Sequence, residues 1–179
     1  EALRARDEAG AWRIVVLGEE ADGAYDRVGL SSYIGAWDRS ELALAGNDYA
    51  GDPLVELRLG AKVTGIDRTA RTVTTADGAV AYDALVLATG SYAFVPPVPG
   101  HDLPGCHVYR TLDDLDALRA DADDALARSA EPVGMVVGGG LLGLEAANAL
   151  RTLGLRPHVV EVNPRLMPQQ VDTGGGEHL

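Results

Sequence analysis

A glycine-rich strand–turn–helix–strand passage from Val133 to Glu161, a shortened echo of it at the start, and a hairpin signal between them predict an α/β chain. The class is paired Rossmann-like nucleotide-binding units with a small antiparallel β insertion. In the complete copy, the apolar strand Met135 to Val137 enters Gly138-Gly139-Gly140-Leu141-Leu142-Gly143. An Ala- and Leu-rich helix follows, then a second apolar strand ending on Glu161. Glycine spacing alone is weak evidence. Here the strand, the helix and an acid 18 residues past the last glycine accompany it. The alternative is a glycine turn that only lets helix and strand approach closely.

The residue types suit a dinucleotide. Gly138 permits the tight turn, Gly140 lets a pyrophosphate near the backbone, and Gly143 lets the helix lie close to the sheet. The free N–H groups of the helix start then hold the anion. Glu161 accepts hydrogen bonds from the adenosine ribose and repels a 2′-phosphate, which favours NADH over NADPH. Arg165 lies near enough in sequence to keep NADPH open.

In chain order, Glu1 to Asp7 reads as a helix without an entering strand. EALRARDEAGAWRIVVLGEE resembles NALRTLGLRPHVVEV, since both run from Ala-Leu-Arg through a helix end into an apolar strand that stops on an acid; the alternative is chance similarity. Aligning Leu3 with Leu150 puts the first copy's glycine turn before Glu1. The expectation is a partial nucleotide-binding domain over residues 1–110, lacking its first strand and glycine loop, and a second nucleotide-binding domain over 111–179, incomplete at its C-terminus. Both ends fall inside secondary elements, as in a piece of a longer chain.

Ile14 to Leu17 is the first strand, and Glu19 or Glu20 is the counterpart of Glu161. Glu19 is preferred as the first acid off the strand; the alternative is two solvent-facing turn acids. Ala24 to Gly35 reads as a ligand-lining loop, in which Arg27 pairs with phosphate or forms an ordinary salt bridge. Trp37 to Gly46 reads as a short helix. Gly46-Asn47-Asp48 and Gly51-Asp52-Pro53 are turn signals.

Val55–Leu59, Lys62–Asp67 and Thr72–Ala76 read as short strands, and Asp77-Gly78 turns the last into Val80–Tyr82, forming the insertion. Ala84 to Ala88 is continuously apolar, as expected of a central parallel strand, and ends on Thr89-Gly90-Ser91. Pro96, Pro97 and Pro99 mark a crossover. Thr111 with Asp114 caps a helix whose Leu115, Leu118, Ala122 and Leu126 form one apolar face. Gly154 stops the next helix, and His158 to Val162 forms the last strand. Gly174-Gly175-Gly176 has no strand before it and is not counted as a nucleotide turn.

Composition narrows the chemistry. Among 179 residues, Cys106 is the only cysteine, which excludes an internal disulfide, a CxxC pair and a cysteine-ligated cluster within them. A net charge of −12 argues against nucleic acid. No apolar run approaches the roughly 20 residues of a membrane helix, so a cytoplasmic protein is the default. His101, His107, His158 and His178 show no metal-ligand spacing, and Ser31, Ser32 and Ser91 sit outside any G-x-S-x-G turn. No catalytic residue or metal ligand is therefore assigned. Two nucleotide units suggest a flavin taking electrons from a nicotinamide.

GEEADGAYDRVGLSSY, LVLATGSYAFVPPVPG, VYRTLDDL, VVGGGLLGLEAANAL and the GGGEHL ending together resemble the pyridine-nucleotide and FAD-dependent oxidoreductases related to ferredoxin and rubredoxin reductases. Within that superfamily, YDRVGLSSY is most similar to the amino-terminal flavoprotein part of assimilatory NAD(P)H nitrite reductase large subunits. Ferredoxin and rubredoxin reductases often have lysine where this chain has Ser32.

The resemblance implies residue roles. Glu19 matches the residue on the FAD adenosine ribose, and Arg27, Leu30 and Ser31 the loop beside flavin and pyrophosphate. Lys62 and Val63 match the segment meeting adenine, Ala88, Thr89 and Gly90 the segment against FAD, and Arg110 an arginine near the isoalloxazine. Gly138, Gly140, Leu141, Leu142, Gly143 and Glu161 match the nicotinamide-nucleotide site. Glu145 matches an acid near the nicotinamide path, or is a first-turn helix acid favoured by the dipole. It further implies FAD and NADH as cofactors. In the parent enzyme, iron–sulfur and sirohaem domains and a small nitrite reductase subunit would act outside this chain. The alternatives are a ferredoxin- or rubredoxin-type flavin reductase and a non-catalytic nucleotide-binding scaffold or sensor.

Overall fold

The computed structural model describes residues 2–44 and 51–178, so the turn expected at Gly46-Asn47-Asp48 lies outside the described residues. Packing divides the chain into two compact units, Glu1–Asp26 with Leu42–Gly90, and Arg27–Glu41 with Ser91–Leu179. The sequence boundary at residue 110 instead followed the order of the nucleotide-binding signals.

In the first unit, helix α1 (Ala2–Arg6) is followed by a turn tied by Asp7, whose carboxylate accepts from the N–H groups of Ala11 at 2.8 Å and Trp12 at 3.0 Å. Strand β1 (Ile14–Leu17) has the bounds expected. It pairs in parallel with β2 (Val55–Arg58), Ile14 opposite Val55. The Val55 segment thus belongs to the parallel sheet and not to the antiparallel insertion. A long connection separates it from β1, which is what a parallel pairing requires.

The insertion is the antiparallel order β3 (Gly65–Asp67), β4 (Thr72–Thr75), β5 (Gly78–Ala81). Its first strand starts at Gly65 and not Lys62; ahead of it the Thr64 N–H at 2.8 Å and the Thr64 hydroxyl at 3.3 Å both donate to the Thr74 carbonyl. The hairpin turn lies one residue earlier than expected. Thr75 pairs with Gly78, so Ala76-Asp77 forms the loop, and Gly78 takes the positive φ of 125° that closes it.

Ala84–Ala88 is not a strand. It has no ladder partner among the described residues, and Val86 and Leu87 are exposed. A continuous apolar run carries no alternation to specify a face, so pairing alone decides whether it becomes a strand.

In the second unit, α2 (Leu30–Ala36) occupies what read as a ligand-lining loop. Leu30, Tyr33 and Ile34 fall at helical spacing and are buried. Trp37, at φ 54°, ends this helix where the sequence suggested one beginning; only a 3-10 turn, Arg39–Leu42, follows. Helix α3 (Leu112–Arg128) opens on the expected reciprocal cap. Thr111 Oγ1 accepts from the Asp114 N–H at 3.1 Å, and the Asp114 carboxylate accepts from the Thr111 N–H at 2.8 Å. Leu112 and Leu115 are fully buried, each worth about 2 kcal/mol of transfer from water.

Strand β6 (Val133–Val137), helix α4 (Leu141–Thr152) and strand β7 (Arg156–Val160) complete the motif, with β6 and β7 parallel and Val137 opposite Val160. The last strand ends two residues earlier than expected, leaving Glu161 just beyond it. Gly154, at φ 90°, ends α4 as expected. The core here joins Ala122, Val136, Leu150 and Leu155. A β-carbon on Gly134 would lie 2.7 Å from Leu150 Cδ1, so Leu150 packs over the strand where a larger residue would make it shift. The three C-terminal glycines lie in α5 (Thr173–Glu177), capped by Asp172 Oδ1 on the Gly175 N–H at 2.8 Å. Among the described residues no helix is long and apolar enough to cross a membrane.

Candidate functional site

The glycine turn from Gly138 to Gly143 is set by three different constraints. Gly138 has φ 113°, a conformation costly for any L side chain. A β-carbon at Gly143 would collide with the Gly138 carbonyl oxygen, so the first turn of α4 folds directly onto the strand end. At Gly140 an added β-carbon would meet nothing within 4 Å, so the approach to the backbone is open there. Gly140 is also the residue before α4, and no side chain caps that helix. By contrast, Thr111 caps α3 and Asp172 caps α5. The N–H groups of Leu141, Leu142 and Gly143 therefore face outward as a donor set of the kind that binds anions.

Behind this turn stands Glu161. Its Oε2 accepts from the Gly139 N–H at 2.7 Å, and its Oε1 accepts from both the Asn163 N–H and Asn163 Nδ2 at 2.8 Å. These donors, the Asn163 N–H foremost and then that of Gly139, push the carboxyl down to about 2. Gly139 is fixed on its other side too. Its carbonyl accepts from the Met167 N–H at 2.8 Å, and a β-carbon on it would lie 2.7 Å from Leu166 Cδ2.

Sequence reading treated Gly139 as the free position of the glycine pattern and passed over Asn163. Gly139 leaves no signal beyond being glycine. Asn163 could have been noticed as a short amide two residues past the acid, where such side chains turn back on local groups. Arg165, kept open as a 2′-phosphate ligand, is turned to the C-terminal segment instead. Its guanidinium donates to Thr173 Oγ1 and the Pro168 carbonyl, each at 3.0 Å, and to the Val171 carbonyl at 3.4 Å.

The remaining expected residues of this unit gather around α2 and the start of α3. Arg27 donates to the Arg110 carbonyl at 3.0 Å, Arg110 to Ser91 Oγ at 2.9 Å, and Ser31 Oγ lies 3.3 Å from the Tyr109 hydroxyl. Leu30 packs in the core. Tyr109, absent from the sequence expectations, is the meeting point. Burial chiefly raises its hydroxyl pKa, with a smaller push from the Glu145 carboxylate on α4. Leu141 and Leu142, at the mouth of the turn, are exposed.

In the first unit, Lys62 Nζ pairs with Glu19 Oε1 at 2.5 Å, and both side chains reach solvent. Glu20 instead accepts from the Tyr25 hydroxyl at 2.6 Å. Val63, Ala88, Thr89 and Gly90 are exposed. Among the described residues no cluster of His, Cys, Asp and Glu could hold a metal ion.

Residues 2–178 match the family described as pyridine nucleotide-disulphide oxidoreductase. The chain is 54% identical to the NAD(P)H nitrite reductase large subunit of Klebsiella oxytoca, over 100% of its own length and 18% of that protein. It is 42% identical to the NADH nitrite reductase large subunit of Escherichia coli K12, over 100% of its own length and 20% of that protein. It therefore spans about a fifth of the length of these curated relatives. The ferredoxin reductase structure from Rhodopseudomonas palustris superposes with a TM-score of 0.81 at 32% identity, covering 99% of this chain and 42% of that one. The resemblance read from YDRVGLSSY and VVGGGLLGLEAANAL is borne out, as is the paired nucleotide-binding α/β class. A match running from residue 2 to residue 178 leaves neither unit outside it, and the chain belongs to the pyridine nucleotide-disulphide oxidoreductase family.

Proposed function

We propose that this chain is the FAD- and NAD(P)H-binding electron-input module of a longer nitrite reductase. The observation that carries the reading is the uncapped start of α4 over Gly138–Gly143 with Glu161 behind it. These residues fit a nicotinamide dinucleotide: outward N–H groups for the pyrophosphate, open backbone at Gly140, and a carboxylate for the ribose. Glu161 would repel a 2′-phosphate, and Arg165 is engaged elsewhere, so NADH is the preferred donor. Leu141 and Leu142 line the same helix start, while Glu145 lies one turn further on and is not the first-turn acid the sequence allowed.

For FAD, the fitting residues of the first unit are Glu19 for the adenosine ribose, Lys62 and Val63 beside the adenine, and Ala88, Thr89 and Gly90. In the second unit they are Arg27, Leu30, Ser31 and Arg110. In the first unit the fit rests on Glu19 and its Lys62 partner. Residues 1–110 thus carry most of the flavin side and 111–179 the nicotinamide side.

Bound together, the two cofactors supply hydride transfer from reduced nicotinamide to flavin, and iron–sulfur and sirohaem centres outside this chain would carry the electrons to nitrite for ammonia. The chain's own residues bind and orient the nucleotides. The parent would act in the cytoplasm with those C-terminal domains and a small subunit. The likeness to a ferredoxin reductase supports a second reading, a flavin reductase serving a small iron–sulfur protein. Anaerobic titration of the full-length flavoprotein with NADH tests the proposal. Flavin absorbance should bleach stoichiometrically; an unchanged spectrum sinks it. A parent reading frame without a sirohaem domain would favour the second reading.

A further inference from the structure

We infer that Asn163 is a positioning residue that fixes the Glu161 carboxylate for a ribose hydroxyl and thereby sets discrimination between NADH and NADPH. The inference rests on reading the Gly138–Gly143 turn as the nicotinamide-nucleotide site. A glutamate at the end of a strand has three side-chain torsions to settle, and the backbone N–H groups of Gly139 and Asn163 hold one oxygen each but leave the carboxylate able to tilt about the line joining those oxygens. The Asn163 side chain removes that tilt. The N–H and the side-chain amide of Asn163 both reach Oε1, each at 2.8 Å. The amide orientation follows from chemistry, because a carboxylate only accepts and an Asn oxygen turned toward it would be repelled.

The anchor beneath is equally held. The Gly139 carbonyl accepts from Met167, and Leu166 packs against Gly139. Pro164 restricts the backbone of Asn163 to extended conformations, so the donor pair is set before any ligand arrives. The two oxygens end up unequally loaded. Oε1 takes both donors of Asn163, and Oε2 takes the Gly139 N–H, so Oε2 keeps acceptor capacity for a ribose hydroxyl. A 2′-phosphate at that place would face a fixed negative charge that has no rotamer to retreat into. Arg165 does not offset it, since its guanidinium is turned to Thr173, Pro168 and Val171.

The test is calorimetric titration of the full-length flavoprotein with NADH and with NADPH. For Asn163→Ala the expected result is NADH affinity about tenfold weaker, a change of about 1.4 kcal/mol, with NADPH affinity unchanged or tighter. Asn163→Ser, which keeps a short donor, retains most of the preference. In a Glu161→Gln background, Asn163→Ala changes neither affinity further. A purely structural role would weaken both nucleotides alike, and that result, or an unchanged ratio, overturns the inference.

Wild-type chain that binds neither nucleotide overturns the underlying reading of the site and the discrimination with it. Hydrogen exchange at the Gly139 amide in the unliganded chain decides the positioning separately. Asn163→Ala should speed exchange there several-fold, and unchanged exchange refutes the positioning role.

Discussion

Glu161 and Gly139 are joined by a 2.7 Å hydrogen bond from a backbone N–H to a carboxylate, so the acid that ends one strand holds the turn that ends its neighbour. That bond couples the proton affinity of Glu161 to the folded turn. The folded carboxyl lies at about 2, below its ordinary 4.5. A depressed folded pKa gives stability that is fully present above the unfolded value and is lost as pH falls through the folded one. Glu161→Gln, which does not titrate, lacks this term. Thermal melts should show wild type losing its advantage over the variant between pH 4.5 and about 2, with a constant gap above that window. A gap independent of pH across the window would contradict the assignment.

Gly143 and Gly140 separate folding from binding. Gly143→Ala drives a methyl into the Gly138 carbonyl, and α4 must shift to accept it. Urea unfolding should show a loss of about 3 kcal/mol, the upper range for overpacking. At Gly140 the φ of −82° suits any residue and the space is open. Gly140→Ala should therefore fall within about 0.5 kcal/mol of wild type in the same experiment. Its effect should appear in calorimetry instead, as NADH affinity about tenfold weaker.

The capping of α3 makes a narrower prediction. Thr111→Ala removes one half of a reciprocal cap and should cost about 1 kcal/mol in urea unfolding, whereas Thr111→Ser keeps the acceptor and most of the stability. Equal losses for both variants would show that the methyl group, and not the hydroxyl, matters.

Arg165 offers a control for nucleotide preference. Its guanidinium binds the segment after β7, so Arg165→Ala should lower stability by about 2 kcal/mol and speed proteolysis around residues 168–176. The ratio of NADH to NADPH affinity should not move. Glu161→Arg should shift that ratio toward NADPH. If Arg165→Ala alone shifted it, the arginine would be reaching the ribose in solution.

The second nucleotide unit was legible because every level of the sequence agreed there: strand, glycine turn, helix, stop at Gly154 and terminal acid. Thr111 with Asp114 was legible for the same reason, since a cap is a local bond between neighbours. Elements fixed by distant partners were read less well. Val55–Arg58 became parallel only because Ile14–Leu17 lies beside it, and Ala84–Ala88 has no ladder partner among the described residues despite its composition. Leu30–Ala36 read as a loop because two serines and a glycine obscure a helix that Leu30, Tyr33 and Ile34 hold by burial. At the candidate site, the charged acid was visible in sequence. Its partners were not, because a backbone N–H leaves no trace in composition.

Trp37 sits at the end of α2 with the Tyr33 ring edge-on at 5.0 Å and the Arg119 guanidinium 4.3 Å from its centroid, while Trp12 is half exposed in the other unit. The protein thus carries two intrinsic fluorophores in unlike surroundings. Emission from Trp37 should respond to the Arg119 cation supplied by α3, and that of Trp12 to water. Selective excitation with Trp12→Phe as background would turn Trp37 into a dye-free gauge of whether α2 is seated on α3, readable in the same cuvette as a nucleotide titration.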